Sequence, residues 1–246
     1  MLEAPANADA FFSNASLREG GILFYGDPHG KWRPLYEAAE RYNPCAVVIL
    51  GDVDCESMSL AQCLAPIMKQ GRKVRWVHGN HDSDSVAQFD LTHGSYGQHN
   101  LSSRWEELGG VIVAGLGGVF KESVWYPRFR DHPDPGAKAD NPTQMIRSTP
   151  SKGRFRSGLP IHLRDAIFPS HVRVFDGIRA DILVCHEAPT THRNGFAEID
   201  RLAVNLGARL IVHGHHHESL RGLTLEGIPV RGLAKAEPWC LVSHQT

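Results

Sequence analysis

Five short polar stretches, each directly after an apolar run, constrain the fold of this chain more than any other feature. Apolar runs such as residues 22–25 and 46–50 predict strands. In open α/β sheets, ligands gather outside the carboxyl ends of the strands, so we expect the polar stretches to meet at one edge. They are Asp27-Pro28-His29, Gly51-Asp52, Gly79-Asn80-His81-Asp82, Cys185-His186 and Gly214-His215-His216-His217.

Predicted helices alternate with the predicted strands along most of the chain, which indicates the α/β class. The helical patterns cover residues 31–42, 57–69, 86–91 and 196–206, and a helix interrupted near Pro169 is expected within 161–175. Further strands are predicted at 74–77, 111–115, 181–184 and 209–212. The tail predicts short strands at 222–225, 228–233 and 239–242, the first two joined in a hairpin through Glu226-Gly227.

Composition narrows the class of protein. The 246 residues are interpreted as one domain, 1–246, and a net charge of −1 provides no overall basic field for nucleic acid or membranes. The five cysteines form no Cys-x-x-Cys pair, which is typical of free thiols in a reducing compartment. The first residues lack a signal-peptide pattern, and no apolar run is long enough to span a bilayer. We therefore expect a cytoplasmic protein without membrane contact; its oligomeric state is left open.

Residues 119–160 differ from the rest of the chain, with six of the fifteen prolines and five arginines. A long irregular stretch in a compact domain is usually functional or disordered, and we interpret this one as an insertion beside the site. Its arginines are expected to be solvated, and Arg128 and Arg130 are the two to test first for phosphate binding. Trp125, Tyr126 and Phe129 are expected to pack and anchor the insertion.

The polar stretches offer carboxylate, imidazole and amide oxygen, all of which divalent metals accept as ligands. Hydrolysis of a phosphate ester requires an activated water, neutralised phosphoryl oxygens and a proton for the leaving oxygen. Two metals about 3.5–4 Å apart serve the first two needs, and a positioned imidazole serves the third.

The order Asp-x-His, Gly-Asp, Gly-Asn-His-Asp, His and Gly-His-x-His resembles the calcineurin-like metallophosphoesterase superfamily, from Asp27 to His217. The resemblance implies a four-layer α/β/β/α sandwich of two mixed sheets flanked by helices. It also implies a dinuclear centre of two divalent metal ions. Mn is the favoured metal, and Fe, Zn, Ni and Co are the other candidates.

The resemblance further assigns a role to each matching residue. It implies that Asp52 bridges the metals and that His81 contacts the phosphate and protonates the leaving group, with attack by a metal-bridging hydroxide. The first metal is matched by Asp27, His29 and His217, and the second by Asn80, His186 and His215.

Two departures from the family pattern stand out. Cys55 occupies a position where family members often have an acidic residue that helps to orient the catalytic histidine. In this chain that role passes to Asp54, Glu56 or Asp82, or is missing. We include Asp82 with His81 in the predicted catalytic pair. No Arg-Gly follows Gly51-Asp52, which argues against the branch of the Ser/Thr protein phosphatases and symmetrical dinucleotide tetraphosphatases.

The remaining histidines are expected to have no direct part in metal binding or catalysis. His78, His213 and His216 neighbour the predicted ligands and are expected to be structural or to support them. Seven others are expected at the surface: His93, His99, His132, His162, His171, His192 and His244.

The leading functional hypothesis is a metal-dependent phosphoesterase acting on a phosphomonoester or phosphodiester. A small nucleotide or other small phosphate ester is favoured as substrate over nucleic acid, because the overall charge is close to neutral. Two alternatives remain open. The first is a non-catalytic metal-binding scaffold on the same fold, and the second is a nuclease in which the insertion forms a basic groove.

Overall fold

Two β-sheets form the centre of the protein in this computed structural model, which describes residues 17–55, 57–127 and 136–242. The interpretations of Glu56, Arg128, Phe129, Arg130, His132 and His244 lie outside the described residues.

The first sheet has four strands in the order β10-β1-β2-β3. Strands β1 (Ile22–Tyr25), β2 (Ala46–Ile49) and β3 (Lys73–Trp76) run parallel, and β10 (Pro238–Leu241) pairs antiparallel with β1. Because β1, β2 and β3 are parallel, the loops that follow them leave from the same edge of the sheet.

The second sheet has six strands in the order β4-β5-β6-β7-β9-β8. Four of them are parallel neighbours: β5 (Val111–Leu116), β6 (Ile182–Cys185), β7 (Leu210–His213) and β9 (Pro229–Gly232). The antiparallel edge strands are β4 (Arg104–Leu108) and β8 (Leu220–Leu223). The predicted hairpin through Glu226-Gly227 is present as the β8–β9 pair.

Alternating side chains of the strands build three cores, which stack the molecule in four layers. Ile22 and Phe24 of β1 belong to the core between the sheets, together with Val113 of β5. Leu23 and Tyr25 of β1 point the other way, into the core under the helices that cover the first sheet. A third core covers the outer face of the second sheet. The predicted α/β/β/α sandwich of two mixed sheets is therefore confirmed.

Each sheet is covered by amphipathic helices. Helices α1 (Arg33–Tyr42) and α2 (Leu60–Met68) bury one face against the first sheet. Ser59 starts α2 with a capping box, in which its hydroxyl accepts from the backbone N–H of Gln62 and the Gln62 side chain accepts from the N–H of Ser59. Helix α6 (Ala197–Leu206) covers the second sheet and ends at Gly207 in the left-handed conformation.

The shorter helices are less regular than expected. Helix α3 (Val86–Phe89) is a single turn, and the chain continues as a π-helical turn, Asp90–Gly94. The helix expected within 161–175 is a 3₁₀ turn at Ile161–Leu163 followed by α5 (Pro169–Arg173), because Pro169 lacks the N–H that a continuous helix needs.

The described part of residues 119–160 packs onto the outer face of the second sheet. Phe120, Trp125 and Leu159 are buried in the core that α6 also covers, and α4 (Pro142–Ser148) is the longest helix of the described part of this segment. This packing agrees with the expected anchoring role of Trp125. The assignment of the segment as an insertion in one domain stays a prediction. No helix in the described part of the chain is both long and apolar enough to cross a bilayer.

Candidate metal centre

The loops that carry the predicted ligands have unusual backbone conformations. The φ angle is positive at Asp27 (31°), His29 (41°), Asp52 (51°), His215 (70°) and His217 (56°). Non-glycine residues rarely adopt these angles, which are found mostly where the surrounding structure enforces them, as at functional sites. The backbone thus turns sharply at the end of each strand and directs successive side chains toward the same space.

One group of ligand atoms is formed by His29, Asp52 and His217, whose atoms all lie within 4.8 Å of one another. The Nε2 atoms of His29 and His217 are 3.0 Å apart, and His29 Nε2 lies 3.7 Å from Oδ2 of Asp52. Burial lowers the pKa of both histidines, so the rings are neutral at pH 7. Two neutral imidazole nitrogens and a carboxylate oxygen are suitable ligands for a divalent cation.

A second group shares Asp52 and adds His186 and His215, again within 4.8 Å. His186 Nε2 lies 3.5 Å from Oδ2 of Asp52 and 3.1 Å from Oδ1 of Asn80. Nδ1 of His186 donates to the carbonyl of Leu50 at 2.7 Å. This bond fixes the tautomer and leaves Nε2 as the ligand atom. The carboxylate of Asp52 is therefore common to both groups, as a bridging residue must be.

Asp27 is the predicted ligand that lies apart from the first group. Its Oδ2 accepts from the backbone N–H of His215 at 2.9 Å, and its Oδ1 lies 3.4 Å from Nδ1 of His186. Oδ1 is buried and has no hydrogen-bond partner. Burial raises the pKa of Asp27 to about 7. The assignment of Asp27 to the first ion stays a prediction, and its unpartnered oxygen is an atom that a cation would satisfy.

The electrostatics of the site favour a positive charge between the two sheets. Burial alone lowers the pKa of His186, but the carboxylates of Asp52 and Asp27 outweigh it and raise the pKa to about 10. Burial alone likewise raises the pKa of Asp52, yet its interactions with His186 hold it below its usual range. The donor set, the unpartnered Asp27 oxygen and this preference for positive charge all fit a pair of divalent ions.

Two glycines make room for the His186 ring. A Cβ atom added at Gly51 would lie 2.7 Å from Nδ1 of His186, and one added at Gly79 would lie 2.6 Å from its Cε1. Real Cβ atoms essentially never approach so closely. The nearest atoms would be the backbone N of Gly79, 2.5 Å from a Cβ at Gly51, and Oδ1 of Asp52, 2.1 Å from a Cβ at Gly79, so both glycines are required by the close contact of the two loops as well as by the ring. The loops after β2 and β3 can then close on His186, which follows β6.

Asp82 connects the backbones of the two loops that follow β2 and β3. Its Oδ2 accepts from the N–H groups of Asp52 at 3.0 Å and Gly79 at 2.7 Å, and its Oδ1 accepts from the N–H of Val53 at 2.9 Å. The side chain is fully buried, and burial raises its pKa to about 6. These contacts hold the bridging Asp52 in place, and the predicted catalytic role of Asp82 stays a prediction.

His81 is oriented by a residue that the sequence analysis did not consider. Its Nδ1 lies 2.7 Å from Oδ2 of Asp84, and its backbone N–H donates to Oδ1 of Asp52 at 2.9 Å. Partial burial lowers the pKa of His81, but the hydrogen bond with Asp84 and the charge of Asp52 outweigh it, and the net shift is upward. The expected partner of His81 was Asp54, Glu56 or Asp82, or none. The contacts identify Asp84 as the partner instead. Its position three residues after His81 was the one feature of the sequence that could have indicated this.

Glu187 is a second residue that the sequence analysis missed, although it directly follows His186. With His215 and His216 it forms another group whose ligand atoms lie within 4.8 Å of one another. Its Oε1 lies 3.8 Å from the Nε2 atoms of both histidines. Glu187 is therefore placed to interact with His215, which also belongs to the group around Asp52.

The structural or surface positions expected for the other histidines are confirmed for some of them and wrong for others. His78 is held by Ser102, whose hydroxyl lies 2.9 Å from Nδ1, in agreement with a structural role. His192 was expected at the surface, but it is 4% exposed and stacks on His216 with ring centroids 3.7 Å apart. His93, His99 and His171 are also partly buried, because they pack against aromatic rings, whereas His162 is exposed as expected.

The sandwich fold and the paired ligand groups at its strand ends define a protein of the metallophosphatase class. The sequence pattern of the calcineurin-like phosphoesterase family matches residues 21–219, and the chain belongs to this family.

Known proteins resemble this chain over most of its length. A Haemophilus influenzae protein, described as uncharacterized, is 36% identical over 222 residues, which cover 88% of this chain and 94% of that protein. The crystal structure of TT1561 from Thermus thermophilus has a TM-score of 0.57 at 13% identity, covering 89% of this chain and 90% of that one, which is a likeness of fold. A dimetal phosphatase from Danio rerio has a TM-score of 0.49 at 12% identity, covering 88% and 87%.

Proposed function

We propose that this protein hydrolyses small phosphate esters with two divalent ions, Mn²⁺ being the preferred metal, and that it works in the cytoplasm. The observation that carries the proposal is the carboxylate of Asp52, which belongs to two groups of ligand atoms at once. One group places His29 and His217 beside it, and the other places His186 and His215. When bound, the two ions supply positive charge for the phosphoryl oxygens and an activated water.

The residues of the chain then have distinct tasks. His29, Asp52, Asn80, His186, His215 and His217 hold the ions, with Asp27 as a further ligand. Asp52 also accepts the backbone N–H of His81, so the residue that holds the ions sets the position of the histidine beside them.

His81 delivers the proton. Its Nδ1 is held by Asp84, which leaves Nε2 to protonate the leaving oxygen. The same hydrogen bond favours the protonated ring, the form that a general acid needs. A non-catalytic scaffold has no need of a histidine kept in this state.

The test is turnover of p-nitrophenyl phosphate and bis(p-nitrophenyl) phosphate by the Mn²⁺-loaded protein, compared with His81→Ala. We expect turnover of both nitrophenyl esters by the wild type and a smaller loss in the variant, because nitrophenolate leaves without a proton; the loss of about 100-fold or more is expected with alkyl esters. His81→Gln should retain both ions and lose most activity on alkyl esters, whose leaving groups need a proton. Unchanged turnover of alkyl esters by this variant would refute the acid role.

Two outcomes would favour the alternatives. Binding of two ions without turnover of any phosphate ester supports the scaffold. Cleavage of single-stranded nucleic acid in preference to small esters supports the nuclease, with Arg128 and Arg130 as the first residues to substitute.

A further inference from the structure

Two cavities border the candidate metal centre, each beside a different group of ligand atoms. The larger, about 500 Å³, is lined by Asn80 and His215 of the second ligand group. The smaller, about 330 Å³, is lined by His29 of the first group and by His81. Asp84 lines both, so the cavities adjoin at the pair formed by His81 and Asp84. A phosphorus atom held at the centre thus has space for a substituent on each side.

We infer that the substrate is a phosphodiester with two organic substituents, one in each cavity, and that monoesters are the poorer substrates. This inference rests on the proposed function and specifies its substrate class. The leaving substituent occupies the smaller cavity beside His81, and the retained substituent occupies the larger one.

The larger cavity suits a planar substituent. Three of its lining side chains are aromatic: Phe120 and Phe196 have ring centroids 4.6 Å apart, and Tyr126 meets Phe196 edge-on at 5.1 Å. Rings grouped in this way offer stacking and edge contacts to a flat group such as a base or an aryl ring. Glu187, which is 3% exposed, lines the same cavity and supplies a hydrogen-bond acceptor.

The smaller cavity differs in that no phenylalanine, tyrosine or tryptophan is among the described residues that line it. Ser85 and Gln88 line it together with Asp54 and Asp84. These side chains suit a leaving group that carries hydroxyl or amine donors. The two cavities therefore differ in their aromatic side chains, which gives the two ester groups of an unsymmetrical diester distinct places.

The cavity walls offer little positive charge of their own to the substituents of a phosphate. Among the described residues that line either cavity, Lys121 is the single lysine or arginine, and its Nζ lies 2.7 Å from Oδ1 of Asp165. Asp54 and Asp84 add acidic side chains, and so does Glu187, although burial raises the pKa of Glu187 to about 7. The walls therefore suit uncharged ester substituents, whereas the charge of the phosphoryl oxygens is met by the two ions of the proposed function.

The experiment compares kcat/KM for bis(p-nitrophenyl) phosphate, methyl p-nitrophenyl phosphate and p-nitrophenyl phosphate with the Mn²⁺-loaded protein. We expect the bis-ester to exceed the monoester by about tenfold or more, with the methyl ester between them because methyl leaves the aromatic cavity unfilled. A monoester as good as the bis-ester, or better, overturns the inference and leaves the proposed function intact. Failure to hydrolyse all three overturns the proposed function as well.

Filling each cavity provides a second test. Asn194→Trp narrows the larger cavity and Gln88→Trp the smaller one, and the exposed neighbours Arg193→Trp and Val86→Trp serve as matched controls. We expect Asn194→Trp to lower the ratio of bis-ester to monoester kcat/KM by about tenfold, because only the bis-ester has a substituent for the larger cavity. Gln88→Trp should lower kcat/KM for both esters and keep their ratio, because both place the same leaving group in the smaller cavity, while the controls keep the wild-type values. An unchanged ratio in Asn194→Trp, or a ratio lowered by Gln88→Trp alone, contradicts the assignment of the cavities.

Binding gives a readout that is independent of turnover. Diphenyl phosphate should raise the melting temperature of the loaded protein more than phenyl phosphate does at equal concentration, because it places a ring in each cavity. Asn194→Trp should reduce this difference. A larger shift with phenyl phosphate contradicts the inference.

Discussion

Oδ2 of Asp84 lies 2.7 Å from Nδ1 of His81, which makes this carboxylate the orienting partner of the predicted general acid. The pair sits at the boundary between the two cavities, where a leaving group must receive its proton. Its contribution to the pKa of His81 can be measured.

We predict that Asp84→Asn lowers the pKa of His81, because the variant loses the charge that favours the protonated ring. A general acid works only while protonated, so a lower pKa moves the basic limb of the kcat/KM profile to lower pH, by about one unit. The measurement is the pH–rate profile with a substrate that has a poor leaving group. Asp90→Asn is the control, since Asp90 pairs with Arg156 instead. A basic limb that stays in place would contradict the pairing.

Asp52→Asn should weaken both metal ions. Asparagine tolerates the left-handed φ of 51° at this position, so the substitution tests the charge and leaves the backbone unstrained. We expect elemental analysis after gel filtration to find fewer than half the wild-type content of each ion, and Asn80→Ala to reduce one ion only. If Asp52→Asn lost a single ion, the bridging assignment would be wrong.

Asp82→Asn should destabilise the protein itself. Its carboxylate accepts three backbone N–H groups in a fully buried position, and an amide has one oxygen fewer to offer. The expected loss is about 2–3 kcal/mol in the free energy of unfolding, measured with urea in the presence of chelator. The exposed Asp84→Asn should change it by less than about 0.5 kcal/mol. Equal effects of the two substitutions would argue against the backbone role of Asp82.

Buried neutral histidines should make the protein sensitive to acid. Burial lowers the pKa of His93 and of His171 to about 4. Between pH 6.5 and pH 4 the unfolded chain binds protons at these residues and the folded protein does not, so stability falls as pH falls through this window. Each histidine contributes at most about 3 kcal/mol to the loss.

The variant His171→Gln tests this linkage. The measurement is the slope of the free energy of unfolding against pH, with chelator present. The slope should decrease in His171→Gln. It should stay at the wild-type value in the control His162→Gln, because His162 is exposed. The slope is informative even if the variant is less stable, because it counts protons taken up on unfolding. Identical slopes in all three proteins would refute the prediction.

The sequence predicted the layered architecture and the strands that carry the site, because parallel buried strands are continuous apolar runs. It did not predict β4, whose residues Arg104–Leu108 include two glutamates and an exposed Trp105. An edge strand faces water and so lacks the apolar run of a central strand.

The site was predictable to a similar extent. The residues that gather around Asp52 follow strands and were expected to meet, although their metal-binding roles stay predictions. Glu187 was missed because its importance depends on distances between loops, which no local pattern records. Asp84 lies only three residues after His81, but that spacing alone does not distinguish it from the other acidic residues nearby. His192 was misjudged because stacking on His216 is likewise a contact between distant segments.

The candidate ligands come from both sheets. Asp52 and Asn80 follow strands of the four-stranded sheet, whereas His186 and His215 follow strands of the six-stranded sheet. Any cation held among them fastens one half of the sandwich to the other without a covalent bond. Its binding energy therefore adds to the cohesion of the whole molecule, and a chelator should loosen the contact between the halves as well as abolish the chemistry.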